Sequence, residues 1–384
     1  MWIFTALVVT AFAAEPTTIE QFLAKPIPEY AQHLTGQALV DYVNEHQPFF
    51  KAVYSPEAEE LTKFRIMDSK FLVKPKKEEV LTDIVGDEEP PEKLLLLYLL
   101  NTFFDARERW PQCTSIRTIR DQSKCGSCWA VSSAGAMSDQ LCVQSNGTIK
   151  VLISDLDLLA CCDPCGFGCQ GGFYHKAYQY MQKNGVCTGG RYKEKDSCMP
   201  YPFHPCGKHK DQPYYGECPS LHGWPSPKCR KKCNRKYKKC YKDDKYFDQP
   251  KRVQLLQLLH TKTLNNKLLI LFPTNSAKDS YFIVKDQEKV KREIMKNGPV
   301  AASFVIYEDF THYKSGIYVH TAGRELGSHA IRIIGWGREN GTDYWLIANS
   351  YNTDWGEDGY FRILRGANHC EIEERVVGAV MKVD

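Results

Sequence analysis

The sequence predicts an α+β chain of two lobes, one helical and one β-rich, with a cleft between them. Three observations carry that expectation. The stretch CWAVSSAGAMSDQLCVQ, opening at Cys128, sets Ala130, Ala134, Met137 and Leu141 at helical spacing. The C-terminal part instead runs through PVAASFVIY, HAIRIIGWG, DYWLIANS and YFRILRG, apolar stretches separated by Gly, Asp and Asn turn signals. Cysteine usage also divides the chain: residues 15 to about 92 hold none, whereas most of the 16 cysteines crowd between Cys113 and Cys240.

Taken in order, residues 1–14, MWIFTALVVTAFAA, are nearly all apolar and end on small residues before the polar EPTTIEQ, the pattern of a secretory signal peptide. That run is too short to span a bilayer, and no later stretch offers about 20 uninterrupted apolar residues, so no membrane span is expected. Residues 15–100 read as a removable pro-segment. Within it, GQALVDYVNEHQPFFKAV places Leu39, Tyr42, Val43, Phe49 and Phe50 at roughly helical spacing, and KPKKEEVLTDIVGDEEPPEK follows as exposed linker. The mature domain is expected over 101–384, with PPEKLLLLYLL blurring its start.

The 384 residues, 43% hydrophobic and 25% charged, can bury a sizeable core, and a formal charge of +4 gives no general attraction to nucleic acid or anionic membrane. KCRKKCNRKYKKCYKDDK, residues 228–245, carries ten Lys and Arg against two Asp and is read as a solvated loop rather than a nucleic-acid site. Sixteen cysteines and the N-x-T sequons at Asn146 and Asn340 fit the secretory pathway, hence a secreted or lysosomal location. In that compartment CCDPCGFGC would oxidise rather than form a zinc ribbon. No metal or other cofactor is expected.

The chemistry is read from four side chains. A thiol attacks a carbonyl only as thiolate, and Cys128 opens a helix, where unsatisfied backbone N–H groups favour negative charge. Cys125 precedes the Gly turn and lacks that position. His329, between small residues and an apolar strand, is the candidate base, and Asn349, at the end of another strand, can orient it. Gln122, six residues before Cys128, can join the Cys128 backbone N–H as an oxyanion hole.

DQSKCGSCWA, GSHAIRIIGWG and YWLIANSYNTDWGEDG resemble the papain-like cysteine peptidases. FDARERWPQC, CCDPCGFGCQGG, KNGPVAASF and ILRGANHCEIEERVVGAV resemble the cathepsin B-like members from about residue 104 onward. The resemblance implies a papain-like fold with a helical left lobe, a β-barrel-like right lobe and an occluding loop at 206–218. It implies Cys128, His329 and Asn349 as catalytic residues, Gln122 and Cys128 as oxyanion hole, and Gly171 and Gly172 as substrate-binding. Protein and peptide substrates, the protein's own propeptide as inhibitor, and cystatin-type inhibitors are the implied partners. Its implied bridges are Cys113–Cys142, Cys125–Cys169, Cys161–Cys229, Cys162–Cys165, Cys198–Cys233 and Cys206–Cys218. Of the cysteines left over, Cys187 and Cys240 are expected to form a seventh bridge, and Cys370 remains.

Several positions depart from the family. In the loop CGKHKDQPYYGEC, Lys208 replaces the first of two histidines and His209 keeps the second, so a cation for a substrate's C-terminal carboxylate is retained. Dipeptidyl carboxypeptidase activity is therefore expected beside endopeptidase activity, with Lys208 paired to Asp121. Arg375 falls at the base of the S2 pocket, where it disfavours basic P2 residues unless it swings into solvent. Tyr351 stands where the family has a shielding Trp, and Ser328 where it often has Gly. Cys128 and His329 are 201 positions apart, and residues 248–277 have no family counterpart; this stretch is read as foreign to the native protein, which peptide mapping can test. YWLIANSYNTDWGE and the Cys-rich insertions resemble forms from blood-feeding nematodes, implying digestion of haemoglobin and other ingested proteins. The rival class is a catalytically weak homologue whose cleft binds protein or inhibitor without cutting.

Overall fold

The computed structural model describes residues 18–81, 102–210, 212–249, 251–260, 269–278 and 280–383. The expected signal peptide and the maturation boundary within 82–101 lie outside the described residues.

The β-rich lobe is one nine-stranded sheet: β1 (Phe50–Ala52), β2 (Phe104–Asp105), β3 (Tyr281–Ile283), β4 (Val300–Tyr307), β5 (Tyr313–Tyr318), β6 (Glu325–Glu339), β7 (Thr342–Ala348), β8 (Tyr360–Leu364) and β9 (Val376–Gly378). Their order is β1-β5-β8-β7-β6-β4-β9-β3, with β2 added against β6. The sheet is open, not closed into a barrel as the resemblance implied. Its two ends are covered by the N-terminal segment instead: Phe50 pairs with Gly316 on β5, and the Leu81 N–H donates to the Phe282 carbonyl on β3 at 2.8 Å. Unpaired strand edges are thus satisfied without closure. The four apolar runs of the C-terminal part all form strands, and the Asn340-Gly341 pair, both with positive φ, makes the exposed β6–β7 hairpin tip.

The numbered helices are α1 (Gly36–His46), α2 (Pro56–Arg65), α3 (Cys128–Gln144), α4 (Asp155–Cys161), α5 (Tyr174–Asn184) and α6 (Gln287–Asn297). Helix α1 buries Leu39, Val40 and Val43 in the sheet lobe's core with Phe304 and Phe310. At about 1.5–3 kcal/mol per buried side chain, these three supply much of that segment's docking. Phe49 and Phe50 leave the expected helical pattern because the chain turns at Gln47, whose amide bridges the Val43 and Phe50 carbonyls, and enters β1. Part of the expected exposed linker is also docked, at Val80 and Leu81 on β3. Ser55 caps α2 by accepting from the Ala58 N–H, with Pro56 at the first helical position.

Helix α3 is buried along nearly its whole length rather than on one face, since α4 and α5 cover one side and the sheet covers the other. Its polar residues are therefore partnered inside. Asp139 accepts from Arg332 at 2.6 Å, and the Gln140 amide donates to the Pro299 carbonyl. These bonds join the two lobes beneath the cleft.

All six implied bridges are present. The expected seventh is not. Cys187 is buried against Asp157 and the Cys198–Cys233 bridge, while Cys240 is exposed and its thiol donates to Asp243 at 2.7 Å. Residues 251–260 and 269–278 pair as a separate antiparallel hairpin outside the nine-stranded sheet.

Candidate active site

The loop before α3 fixes how Cys128 is presented. Cys125 is bridged to Cys169, and the Gly126 N–H donates to the Cys169 carbonyl at 2.9 Å. A Cβ on Gly126 would sit 2.5 Å from that carbonyl oxygen, so only glycine permits the approach. Ser127 does not cap α3 with its side chain; its hydroxyl bonds to the Tyr201 hydroxyl at 2.7 Å. The helix-start N–H groups of Cys128 and Trp129 are left for the thiol, as is the Ala330 N–H from β6. That last contact brings the strand carrying His329 against the sulfur.

His329 is buried, and its Nε2 meets Asn349 Oδ1 at 2.8 Å. The Ser350 N–H donates to the same oxygen, which sets the amide's orientation. Nε2 must therefore carry the proton, and Nδ1, buried without a hydrogen-bond partner, is the free base. Tyr351 lies over the imidazole with ring centroids 4.8 Å apart, so an aromatic shield is kept. Gln122 is held from the other side, its Oε1 accepting from the Ser350 hydroxyl at 2.7 Å.

The cleft is occupied by the chain's own N-terminal segment. Gln122 Nε2 donates to the Arg65 carbonyl at 2.8 Å. Met67 and Ser328 exchange backbone hydrogen bonds, both 2.8 Å, one residue from His329. The Gly172 N–H reaches the Met67 sulfur, and Phe71 covers Gly171, where a Cβ would fall 2.4 Å from its ring. Arg375 is buried. Its Nε donates to the Val73 carbonyl at 3.0 Å and its guanidinium pairs with Glu371, which excludes the swing into solvent. Arg65, Met67, Phe71 and Val73 are site residues that sequence reasoning missed; FRIMDSKFLV has no pattern that says where it docks.

This cover sets the protonation state. Burial pushes the Cys128 thiol up to about 12, against the lowering effect of the three backbone N–H groups. Burial also drives His329 down to about 4, opposed by Asn349 and assisted by the nearby Arg65 cation. Both shifts run the same way, favouring a resting thiol and imidazole over an ion pair while the cleft is covered.

Lys208 does not pair with Asp121. That carboxylate meets Arg65 Nη2 at 3.7 Å, His209 Nε2 at 3.9 Å and Asn352 Nδ2 at 2.9 Å. The His209 Nδ1 is 3.0 Å from Asp354. The path set by the Cys206–Cys218 bridge turns His209 inward and leaves Lys208 exposed, one residue out of register with the expectation. Behind the loop lies a cavity of about 160 Å³ lined by Asp121, Tyr192, Tyr201 and Tyr215; it does not contain Cys128 or His329, because the N-terminal segment fills their cleft. Asn146 and Asn340 are both exposed.

A family model described as papain family cysteine protease matches residues 100–268 and 272–380. The chain belongs to that family. This papain-family protease is 40% identical over 382 residues to cathepsin B-like cysteine proteinase 1 of Haemonchus contortus, covering 99% of each chain. It is 42% identical over 353 residues to cathepsin B-like cysteine proteinase 4 of Caenorhabditis elegans, covering 91% of this chain and 93% of the other. Among solved structures, procathepsin B S9 from Trypanosoma congolense superposes with a TM-score of 0.63 at 30% identity, over 91% of this chain and 99% of that one. The protease is thus a cathepsin B-like cysteine protease, and its structure has the covered cleft of a zymogen. No helix among the described residues is long and apolar enough to cross a membrane.

Proposed function

We propose that this protease cuts peptide bonds with Cys128 as nucleophile, His329 as general base and acid, and Asn349 as the group that orients His329. The observation that carries the assignment is the His329 Nε2 contact to Asn349 at 2.8 Å, which leaves Nδ1 as the basic nitrogen. Loss of the N-terminal segment rehydrates both groups, lowering the thiol's pKa and raising the imidazole's, so that the proton moves from Cys128 to Nδ1. The thiolate attacks the scissile carbonyl carbon, and the oxyanion is met by the Cys128 N–H and by Gln122 Nε2, freed from the Arg65 carbonyl. The imidazolium then protonates the leaving amine. Water, deprotonated by His329, hydrolyses the thioester. Titration of activated protein with a thiolate-alkylating epoxide tests this: one equivalent should label Cys128 and abolish cleavage. Slow or absent labelling would favour the second reading, a weak cleft-binding homologue, to which the replacement of the shielding Trp by Tyr351 lends support.

Dipeptidyl carboxypeptidase activity belongs to the same reading. The Lys208 ammonium is exposed and offers a cation to a C-terminal carboxylate, with the His209 ring beside it, its Nε2 buried without a hydrogen-bond partner. Peptides ending in a free acid should be cut faster than their C-amides, and equal rates would overturn this. With Arg375 in the S2 pocket, apolar or acidic P2 residues are preferred, so a Phe-Arg reporter should be cut faster than Arg-Arg. Digestion of haemoglobin and other ingested proteins, from a secreted or lysosomal location, is the physiological role we infer. A relative 40% identical over 351 residues is named a gut-specific cysteine proteinase of Caenorhabditis elegans, which supports it. Cystatin-type proteins are the expected inhibitors.

A further inference from the structure

We propose that residues 228–245 form a binding surface for a linear sulfated polysaccharide. The segment is built on a four-residue repeat of anchors, although it is not helical. Cys229 is bridged to Cys161 and Cys233 to Cys198. Tyr237 donates to Asp244 at 2.8 Å, Tyr241 donates to Asp157 at 2.8 Å, and Lys245 donates to the same Asp157 at 2.9 Å. Every Lys and Arg between these anchors is exposed: Lys228, Arg230, Lys231, Lys232, Arg235, Lys236, Lys238, Lys239 and Lys242. Of these nine, Lys239 has an ion pair, with Asp244 at 3.7 Å; the other eight pair with no carboxylate among the described residues.

The charge is concentrated here. Ten cations against two Asp give the segment +8, while the whole chain carries +4, so the remaining residues sum to −4. A polyanion is drawn to this face and repelled from the rest. The two disulfides and the buried tyrosine contacts hold the backbone in place, so little ordering cost remains on binding.

What the surface lacks selects the polyanion. No large apolar or aromatic side chain is exposed in the segment, since Tyr241 is buried and Tyr237 is engaged with Asp244. Single-stranded nucleic acid is held by stacking its bases on exposed aromatic rings, and membranes by inserted apolar groups; neither is available. Sulfate groups along a sugar chain need only cations and N–H donors, which Lys and Arg supply. The six disulfides place the protein in an oxidising compartment, where such glycans also occur.

The test uses the full-length zymogen with Cys128→Ser, and a heparin dodecasaccharide as probe. If five or six cations engage sulfates, Kd should weaken roughly 10²–10³-fold between 50 and 200 mM salt. The variant Lys231→Glu/Lys232→Glu/Arg235→Glu/Lys236→Glu should bind at least about tenfold more weakly at 100 mM salt. Lys74→Glu/Lys77→Glu/Lys314→Glu, which reverses three charges elsewhere, should bind as the parent does. A non-reducing peptide map showing all six bridges separates lost binding from lost folding. Heparin binding that survives the fourfold reversal, or that is matched by desulfated heparin, oligothymidylate or phosphatidylserine vesicles, would overturn the proposal.

Discussion

Arg65 is where the N-terminal segment's hold on the site can be weakened by one side chain. In Arg65→Ala the backbone carbonyl that blocks Gln122 remains, but three contacts of the guanidinium are lost. These are the hydrogen bond from Nε to the Ser123 carbonyl at 3.0 Å, the 3.7 Å pair with Asp121, and the stacking 4.9 Å above the Tyr351 ring. A hydrogen bond from a charged group contributes about 1.5–3 kcal/mol, and a desolvated cation–π contact about 2 kcal/mol. Asp121 is not stranded, because the Ser123 N–H at 2.6 Å and Asn352 Nδ2 at 2.9 Å still donate to it. Closure should therefore weaken by about 3.5–5 kcal/mol, on the order of 10³ in the open fraction. The assay is the rate at which an epoxide alkylates Cys128 in the intact zymogen, since only the open state exposes the thiol. Arg65→Ala should react roughly three orders of magnitude faster than the parent, with equal rates once the segment has been removed. A zymogen rate within about threefold of the parent would refute the reasoning.

Two further outcomes follow from burial and bonding. Denatured but unreduced protein should titrate four free thiols, Cys128, Cys187, Cys240 and Cys370; two would mean that Cys187 and Cys240 are bridged after all. His312 sits under α2, facing Glu59 at 3.3 Å and the Ser55 N–H, with Glu308 and Asp309 nearby; burial nonetheless holds its pKa below the ordinary value. The docked state then binds fewer protons than the open state, so docking is fully present above about pH 6.5 and weakens as pH falls towards the depressed value. His312→Gln should remove part of the acid acceleration of Cys128 alkylation while leaving the rate at pH about 7.5 little changed. An identical pH profile would rule His312 out as a contributor.

What the sequence determined by itself is local. The helix at Cys128 and the strands from residue 300 onward follow from periodicity within a few residues, and Cys125, Cys128, His329, Asn349 and Gln122 stand in short motifs whose chemistry is readable in place. Tertiary structure decided what depends on path and register. Whether the sheet closes depends on how its end strands meet; here the N-terminal segment covers both. One residue of loop path exchanges Lys208 for His209 at Asp121. Cys187 and Cys240 look like a pair by elimination, yet one faces Asp157 and the other faces solvent. Above all, Arg65, Met67, Phe71 and Val73 take their roles from residues far along the chain, among them Gln122, Ser328 and Arg375. No spacing encodes such contacts, because they arise when two separately folded stretches of chain bury the same surface.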